Sequence, residues 1–379
     1  MSFLEYTVKT TPSGLRKFLY FNWPLVVLIC AVAGMGFLML YSVAGGSMTP
    51  WAAPQVQRFV IGLIVMFAVA LVPIWFWRNM SVLAYVLSLL LLVYVEFFGF
   101  SAGGAQRWID LGFMRLQPSE VAKITLVMLL AAYYDWLPAN RTSHPLWIAV
   151  PLLFILIPVL LTLRQPDLGT ALLLMAGGIA VLFAAGVHWL YFAAAIVPAA
   201  GGISSVFWLR GTEWQPLQDY QYDRIDVFLD PSLDPLGDGY HITQSQIALG
   251  AGGTTGRGFM QGTQTQNDFL PEAQTDFIFT TLAEEFGFVG SAFLLGLYVL
   301  ILVFCMVTAL QTRDRFASIL CLGIAVAFFL YFAVNTAMVM GMVPVVGVPL
   351  PLVSFGGSAM LVLMTAFGLV QSAHIHRPR

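Results

Sequence analysis

Asp276, Thr280 and Glu284 fall at i, i+4 and i+8, a spacing that aligns them on one helix face, and Gly287 closes the row. A carboxylate at the head of such a stripe has two uses. It can accept the free amides of a helix start, or it can take a proton from a substrate hydroxyl as a general base. Capping would account for Asp276 but not for Glu284, about two turns deeper, where a buried acid needs a partner or water. A second group lies in QPSEVAK. Pro118 suits a first helical turn, Glu120 follows Gln117 by three as in part of a capping box, and Lys123 is one turn on, placed to pair with Glu120. That pair is either an ion pair that positions helices or part of an anion site. Arg107 and Trp108, just upstream, suit an interface anchor or, equally, a phosphate and a sugar. In RQPDLG, Asp167 reads as a helix N-cap, and Arg164 stands at the level of an anionic lipid headgroup.

The elements that carry these groups are lipid-length. Of the 379 residues, 59% are hydrophobic and 9% charged, and the mean hydropathy is +0.84. Soluble domains carry roughly 25% charged residues, so the composition indicates an all-α polytopic membrane protein, one helical bundle over 1–379. Spans need about 20 apolar residues. Ten such runs occur, at 22–42, 55–75, 79–98, 117–135, 145–163, 168–187, 189–209, 276–308, 316–338 and 353–373. The eighth is too long for a simple span and is expected to begin as a polar-faced helix, since it holds Glu284, Glu285 and Gly287.

Charge sets the orientation. With residues 1–21 as a cytoplasmic lead-in rather than a signal peptide, Lys9, Arg16, Lys17, Arg78, Arg141, Arg313, Arg315, Arg377 and Arg379 fall inside. Arg58, Arg107, Arg115 and Arg164 fall in short outer loops, which satisfies the positive-inside bias. Both termini are then cytoplasmic, and residues 210–275 form one large extracytoplasmic loop between helices 7 and 8, rich in acids such as Asp268 and Glu272. Within it, DVFLDPSLDPLGDGYH is expected to be irregular, TQSQIALG a short surface helix, and GAGGTTGRGFMQG a flexible run. That run has no Walker pattern. The net charge of -2 and the lack of a basic stripe argue against nucleic acid. Cys30, Cys305 and Cys321 sit inside apolar runs and read as packing residues, and no protein-built metal cage follows from the Cys and His spacings.

Five blocks in order, GAQRWIDLGFMRLQPSEVAK, RQPDLGTA, GYHITQSQIALGAGG, GTQTQNDFLPEAQTDFIFTTLAEEFGFVG and VVGVPLPLVSFGGSAM, give the chain a resemblance to the shape, elongation, division and sporulation (SEDS) family. The resemblance implies a peptidoglycan glycosyltransferase of the bacterial inner membrane that polymerises lipid II, an undecaprenyl-diphosphate-linked disaccharide-pentapeptide, into glycan strands during elongation. It implies as partners a class B penicillin-binding protein, which crosslinks the product, and elongation-machinery membrane proteins. The family's essential acid falls on Asp276, its QPSE-x-x-K pair on Glu120 and Lys123, and its GxxRW block on Arg107 and Trp108. In that reaction Asp276 is the expected base, and Arg107, Lys123, Arg164 and Arg257 are candidates for the pyrophosphate, with a divalent cation (Mg or Mn) held mostly by the substrate. Trp108, Glu120, Asp167 and Glu284 complete the expected substrate-binding set. Two other readings fit a ten-helix chain with internal charges, a lipid-precursor flippase and a non-catalytic scaffold for the crosslinking partner.

Overall fold

The computed structural model describes residues 14–102, 105–112, 114–235, 237–267, 269–270 and 272–377. Lys9, Asp268 and Arg379 lie outside the described residues. Helices α1 (Trp23–Val43), α2 (Ala52–Leu71) and α3 (Ile74–Phe98) lead into three short strands, β1 (Phe100–Ala102), β2 (Ala105–Asp110) and β3 (Arg115–Leu116). Then come α4 (Pro118–Trp136), α5 (Pro145–Arg164), α6 (Leu168–Ala184) and α7 (Trp189–Trp208). The long polar loop holds α8 (Asp219–Leu229), α9 (Asp238–Gly252) and α10 (Thr263–Gln266), and α11 (Ile278–Gln311), α12 (Arg315–Val339) and α13 (Gly357–Ile375) follow. Among the described residues eight helices are long and apolar enough to cross a membrane; α6 is a shorter apolar helix of the 10–17-residue class, and α4 carries Glu120, Lys123 and Asp135.

The bundle closes by apolar packing of α2 on α13, α3 on α4 and α11 on α12 around one continuous core. Buried amides pin its ends, because a polar group inside must find a partner. Gln371 of α13 accepts from the Asn22 main-chain N–H at 2.9 Å and donates to the Asn22 carbonyl at 3.0 Å, which fixes the start of α1. At that same end Arg78 bonds Asp135 at 2.9 Å and lies 3.7 Å from Asp314. In contrast, α7 buries no residue against the protein and presents an apolar surface on every side.

At the opposite end the sequence reading needed correction. The residues before Gln117 form an antiparallel sheet in the order β1-β2-β3, with Phe100 opposite Trp108 and Ile109 opposite Leu116. Strands of two to six residues are too short to show a period-two pattern. The acidic stretch expected to be irregular supplies the end of α8, a short 3-10 turn at Pro231–Leu233 and the start of α9. Arg210 pairs with Asp226 at 2.5 Å, and Tyr222 donates to the Val206 carbonyl at 2.8 Å, so α8 is folded back on the end of α7.

The glycine-rich run is docked, not loose. α11 is broken at Gly287, whose φ of 64° and ψ of -159° leave the helical region and expose main-chain groups on both sides of the break. The glycine run satisfies them. Arg257 and Gly258 N–H groups donate to the Glu284 and Glu285 carbonyls, both at 3.0 Å, while Phe288 and Val289 N–H groups donate to Gly253 and Thr254 carbonyls at 2.9 and 3.1 Å. A Cβ on Gly256 would lie 2.1 Å from the Glu285 carbonyl oxygen. Gly256→Ala should therefore lower stability by about 1–3 kcal/mol, the usual range for overpacking. Thermal unfolding in detergent checks this, and a midpoint equal to wild type would mean that the lock is slack.

Candidate active site

Asp276 stands in the turn before α11, and it does not cap that helix. The N-cap position is Phe277, with no side-chain cap hydrogen bond, and the Asp276 carbonyl accepts from Asn335 Nδ2 of α12 at 2.8 Å. Its carboxyl is half-buried and faces the 342–356 segment, where a Cβ on Gly347 would come to 3.5 Å from Oδ2. Burial, with Glu272 and Asp167 adding negative charge, pushes its pKa up to about 7 against the pull of Arg224. A carboxyl with that affinity is half-ionised near neutral pH, where a general base works best.

Three consecutive residues of the 342–356 segment gather the surrounding groups. Arg224 of α8 donates to the Val345 carbonyl at 3.3 Å. The Val346 carbonyl packs on the start of α6, 2.4 Å from where a Cβ on Gly169 would lie, and Gly347 faces Asp276. At that same start of α6, Asp167 accepts from the Thr170 N–H at 3.1 Å, as its N-cap reading required. Gln117 does not cap α4; its amide donates to Asp167 Oδ2 at 3.1 Å. Arg107 on β2 donates to the Gln165 carbonyl at 3.1 Å and to the Pro166 carbonyl, and it stands 4.0 Å from Asp167. Arg224, Asp276 and the start of α6 thus meet at one short extended segment, and Arg107, with Trp108 next to it on the same strand, is tied to them through Asp167 and the turn before α6.

Glu120 and Lys123 are elsewhere. They pair at 2.8 Å, Tyr331 of α12 donates to Glu120 Oε2 at 2.5 Å, and the Lys123 ammonium lies 4.0 Å from the Tyr331 ring centre. All of this borders a cavity of about 50 Å³ whose lining includes Gln55, Pro349 and Ser354 but not Asp276. The 348–355 backbone runs between the pair and the Asp276 carboxyl.

Glu284 is fully enclosed. Its carboxylate accepts from the Gln264 N–H at 3.0 Å, the Thr263 hydroxyl at 3.2 Å and the Thr265 N–H at 3.4 Å, and Thr280 shares a hydrogen bond of 2.8 Å with Ser245 of α9. Of the expected stripe, Thr280 and Glu284 lie one turn apart on α11 with the folded loop as their partners, whereas Asp276 precedes the helix. Arg164 is the outermost of the predicted cations, with a side chain 71% exposed and Glu96 at 3.7 Å. Arg257 donates to the Thr263 hydroxyl at 2.7 Å. Arg224, Tyr331 and Asn335 had not been singled out. No helical spacing marks them, since their partners lie 13 to 211 residues away in sequence and on other segments.

Asp276→Asn separates charge from shape in stability. A raised carboxyl pKa means that the folded state holds a proton which the unfolded chain gives up near 3.8, so wild type loses stability as pH rises from about 4 to about 7. The neutral amide does not. The variant should match wild type in melting temperature near pH 4 and exceed it above pH 7. A difference that is independent of pH would sink this assignment.

The sequence model for the cell cycle proteins FtsW, RodA and SpoVE matches residues 23–379. A peptidoglycan glycosyltransferase, MrdB of Escherichia coli K12, is 40% identical over 355 residues, 93% of this chain and 93% of its own length. The peptidoglycan glycosyltransferase RodA of Treponema pallidum is 29% identical over 429 residues, 93% of this chain and 97% of its own. Among solved structures, a chain of a peptidoglycan synthase complex that coordinates polymerization and crosslinking superposes with a TM-score of 0.80 at 31% identity, covering 93% of this chain and 97% of that one. The rod shape determining protein RodA of Thermus thermophilus superposes with a TM-score of 0.69 at 28% identity, covering 95% and 98%.

Proposed function

Because this chain belongs to the FtsW, RodA and SpoVE family of cell cycle proteins, we propose that it is a peptidoglycan glycosyltransferase in which Asp276 acts as the general base. The substrate is lipid II and the growing glycan strand. Asp276 takes the proton of the acceptor sugar hydroxyl as that oxygen bonds to the donor sugar and the donor's pyrophosphate departs. The observation that carries this reading is a half-buried carboxyl with a pKa of about 7 that caps no helix and lies near Arg224 and Asp167, the latter 4.0 Å from Arg107. The two guanidiniums supply positive charge for the departing pyrophosphate, as developing charge requires. Arg107 and Asp167 also fix one another and the turn into α6.

Among the described residues no three His, Cys, Asp or Glu side chains converge as a metal cage. A magnesium or manganese ion would be held mainly by the substrate's pyrophosphate and would neutralise charge there. Glu120 and Lys123 act from the interior, by fixing α4 to α12, and Glu284 acts by holding the loop. The chain resides in the bacterial inner membrane with this site on the extracytoplasmic side, and a class B penicillin-binding protein is its crosslinking partner. The solved relative's complex of polymerization and crosslinking supports that partnership.

The test is glycan formation from labelled lipid II by the purified protein with its penicillin-binding partner. Polymer is expected. Translocation of lipid II across vesicles without any polymer would make the chain a transporter instead.

A further inference from the structure

Asn335 is fully buried near the end of α12, and its side-chain nitrogen donates twice to main chain, to the Asp276 carbonyl at 2.8 Å and to the Val348 carbonyl at 2.7 Å. These are the two segments that face each other at the Asp276 carboxyl. With a carbonyl as each partner, the amide can be oriented only one way, nitrogen toward both. A second tie crosses the same gap one residue away. Ser354 donates to the Thr275 carbonyl at 2.6 Å and accepts from the Leu350 N–H at 2.7 Å, and the Phe355 N–H donates to the Gln274 carbonyl at 2.8 Å. Residues 274–276 are thereby laced to 348–355 over their whole length. None of these bonds involves the Asp276 side chain, which is left to the substrate.

We infer that Asn335 is a positioning residue for the polymerisation step, setting the distance between the Asp276 carboxyl and the Val345–Gly347 segment through the backbone of both. This inference rests on the reading of Asp276 as the base. The geometry gives it a specific form. With both donors gone, the Asp276 carbonyl and the Val348 carbonyl lose the partner they share and part, and the carboxyl leaves the half-buried position it holds beside Gly347. Misplacement by about 1 Å in a reacting geometry is enough for a 10²-fold loss of rate.

Asn335→Leu keeps the branched shape of the side chain and removes both donors, and Ser354→Ala removes the neighbouring tie. Glycan polymerisation is measured against lipid II concentration and pH, with wild type and Asp276→Asn beside the variants. Asn335→Leu is expected to lower kcat about 10- to 100-fold with KM for lipid II within about twofold, and to shift the acid limb of the rate profile below its wild-type position. Asparagine replaced by glutamine, which retains the donor group on a longer arm, should recover part of the rate. Added to Asp276→Asn, the leucine change should cost nothing further. Wild-type kcat and an unmoved acid limb in Asn335→Leu would overturn the inference while a dead Asp276→Asn leaves the base reading standing. An active Asp276→Asn would instead overturn the base reading itself. If the leucine variant does not fold, Asn335→Ala, which also removes both donors and leaves a smaller side chain, is read by the same kcat and acid limb, and wild-type values of both overturn the inference.

Discussion

Asp276→Asn is expected to slow glycan polymerisation by about 10²–10⁴-fold, the range that a general base contributes, with the fold and partner binding intact. The substitution is isosteric and removes no helix cap, because α11 is capped at Phe277 without a side-chain bond. Nor does it disturb the Asn335 bond, which goes to the Asp276 main chain. What it removes is the proposed proton acceptor. In wild type the rate should rise with pH through about 7, as the carboxyl loses its proton, and this rise should be missing from the residual activity of the variant. Labelled lipid II, gel-resolved glycan and a pH series from about 5 to about 9 decide it. Long glycan made by the variant at the wild-type rate refutes the assignment.

Lys123→Met is expected to lower stability by about 3–5 kcal/mol, because it strands a buried carboxylate. Glu120 and Lys123 are 8% and 6% exposed in their side chains, so neither reaches water easily. Tyr331 would remain as the sole described side-chain donor to Glu120, and one hydroxyl does not balance a charge in a helical core. Glu120→Gln added to Lys123→Met should restore most of the loss, since the pair is then neutral on both sides. Arg141→Ala serves as the comparison. Arg141 is exposed and only stacks near Trp147, at 5.6 Å, so its loss should stay within about 0.5 kcal/mol. Equal destabilisation by the two would place Lys123 in contact with water. A double variant no better than Lys123→Met alone would show that the ammonium holds something other than Glu120.

The long helices were legible because bilayer thickness dictates run length, and each of the ten apolar runs coincides with a helix. The Glu120 and Lys123 pair was legible for a similarly local reason, three residues of helical spacing. Asp167 showed its cap because a cap is also a local pattern. Asp276 was the informative exception: the same local rule offered capping, and the structure withholds it. What could not be seen was whatever depends on distant chain. The glycine run looked flexible by composition, yet it is held by backbone bonds to α11 that no composition records. Lys123 was one of the candidates for the pyrophosphate; it lines the interior cavity instead, with Pro349 to Leu352 and Ser354 of a third segment. Tyr331 and Asn335 lie in an apolar run with nothing beside them in sequence to mark a role.

The break at Gly287 divides α11 mechanically. Its longer part, after the break, packs among lipid-length helices and takes its bearing from the bilayer. Its short first part is stitched to the glycine run, to Thr263–Thr265 through Glu284 and to α9 through Thr280, so it takes its bearing from the extramembrane loop. Asp276 is attached to that first part. A displacement of the loop would then reach the turn that carries Asp276 without bending the longer part of α11, and the Asn335 and Ser354 bonds are what hold that turn against it.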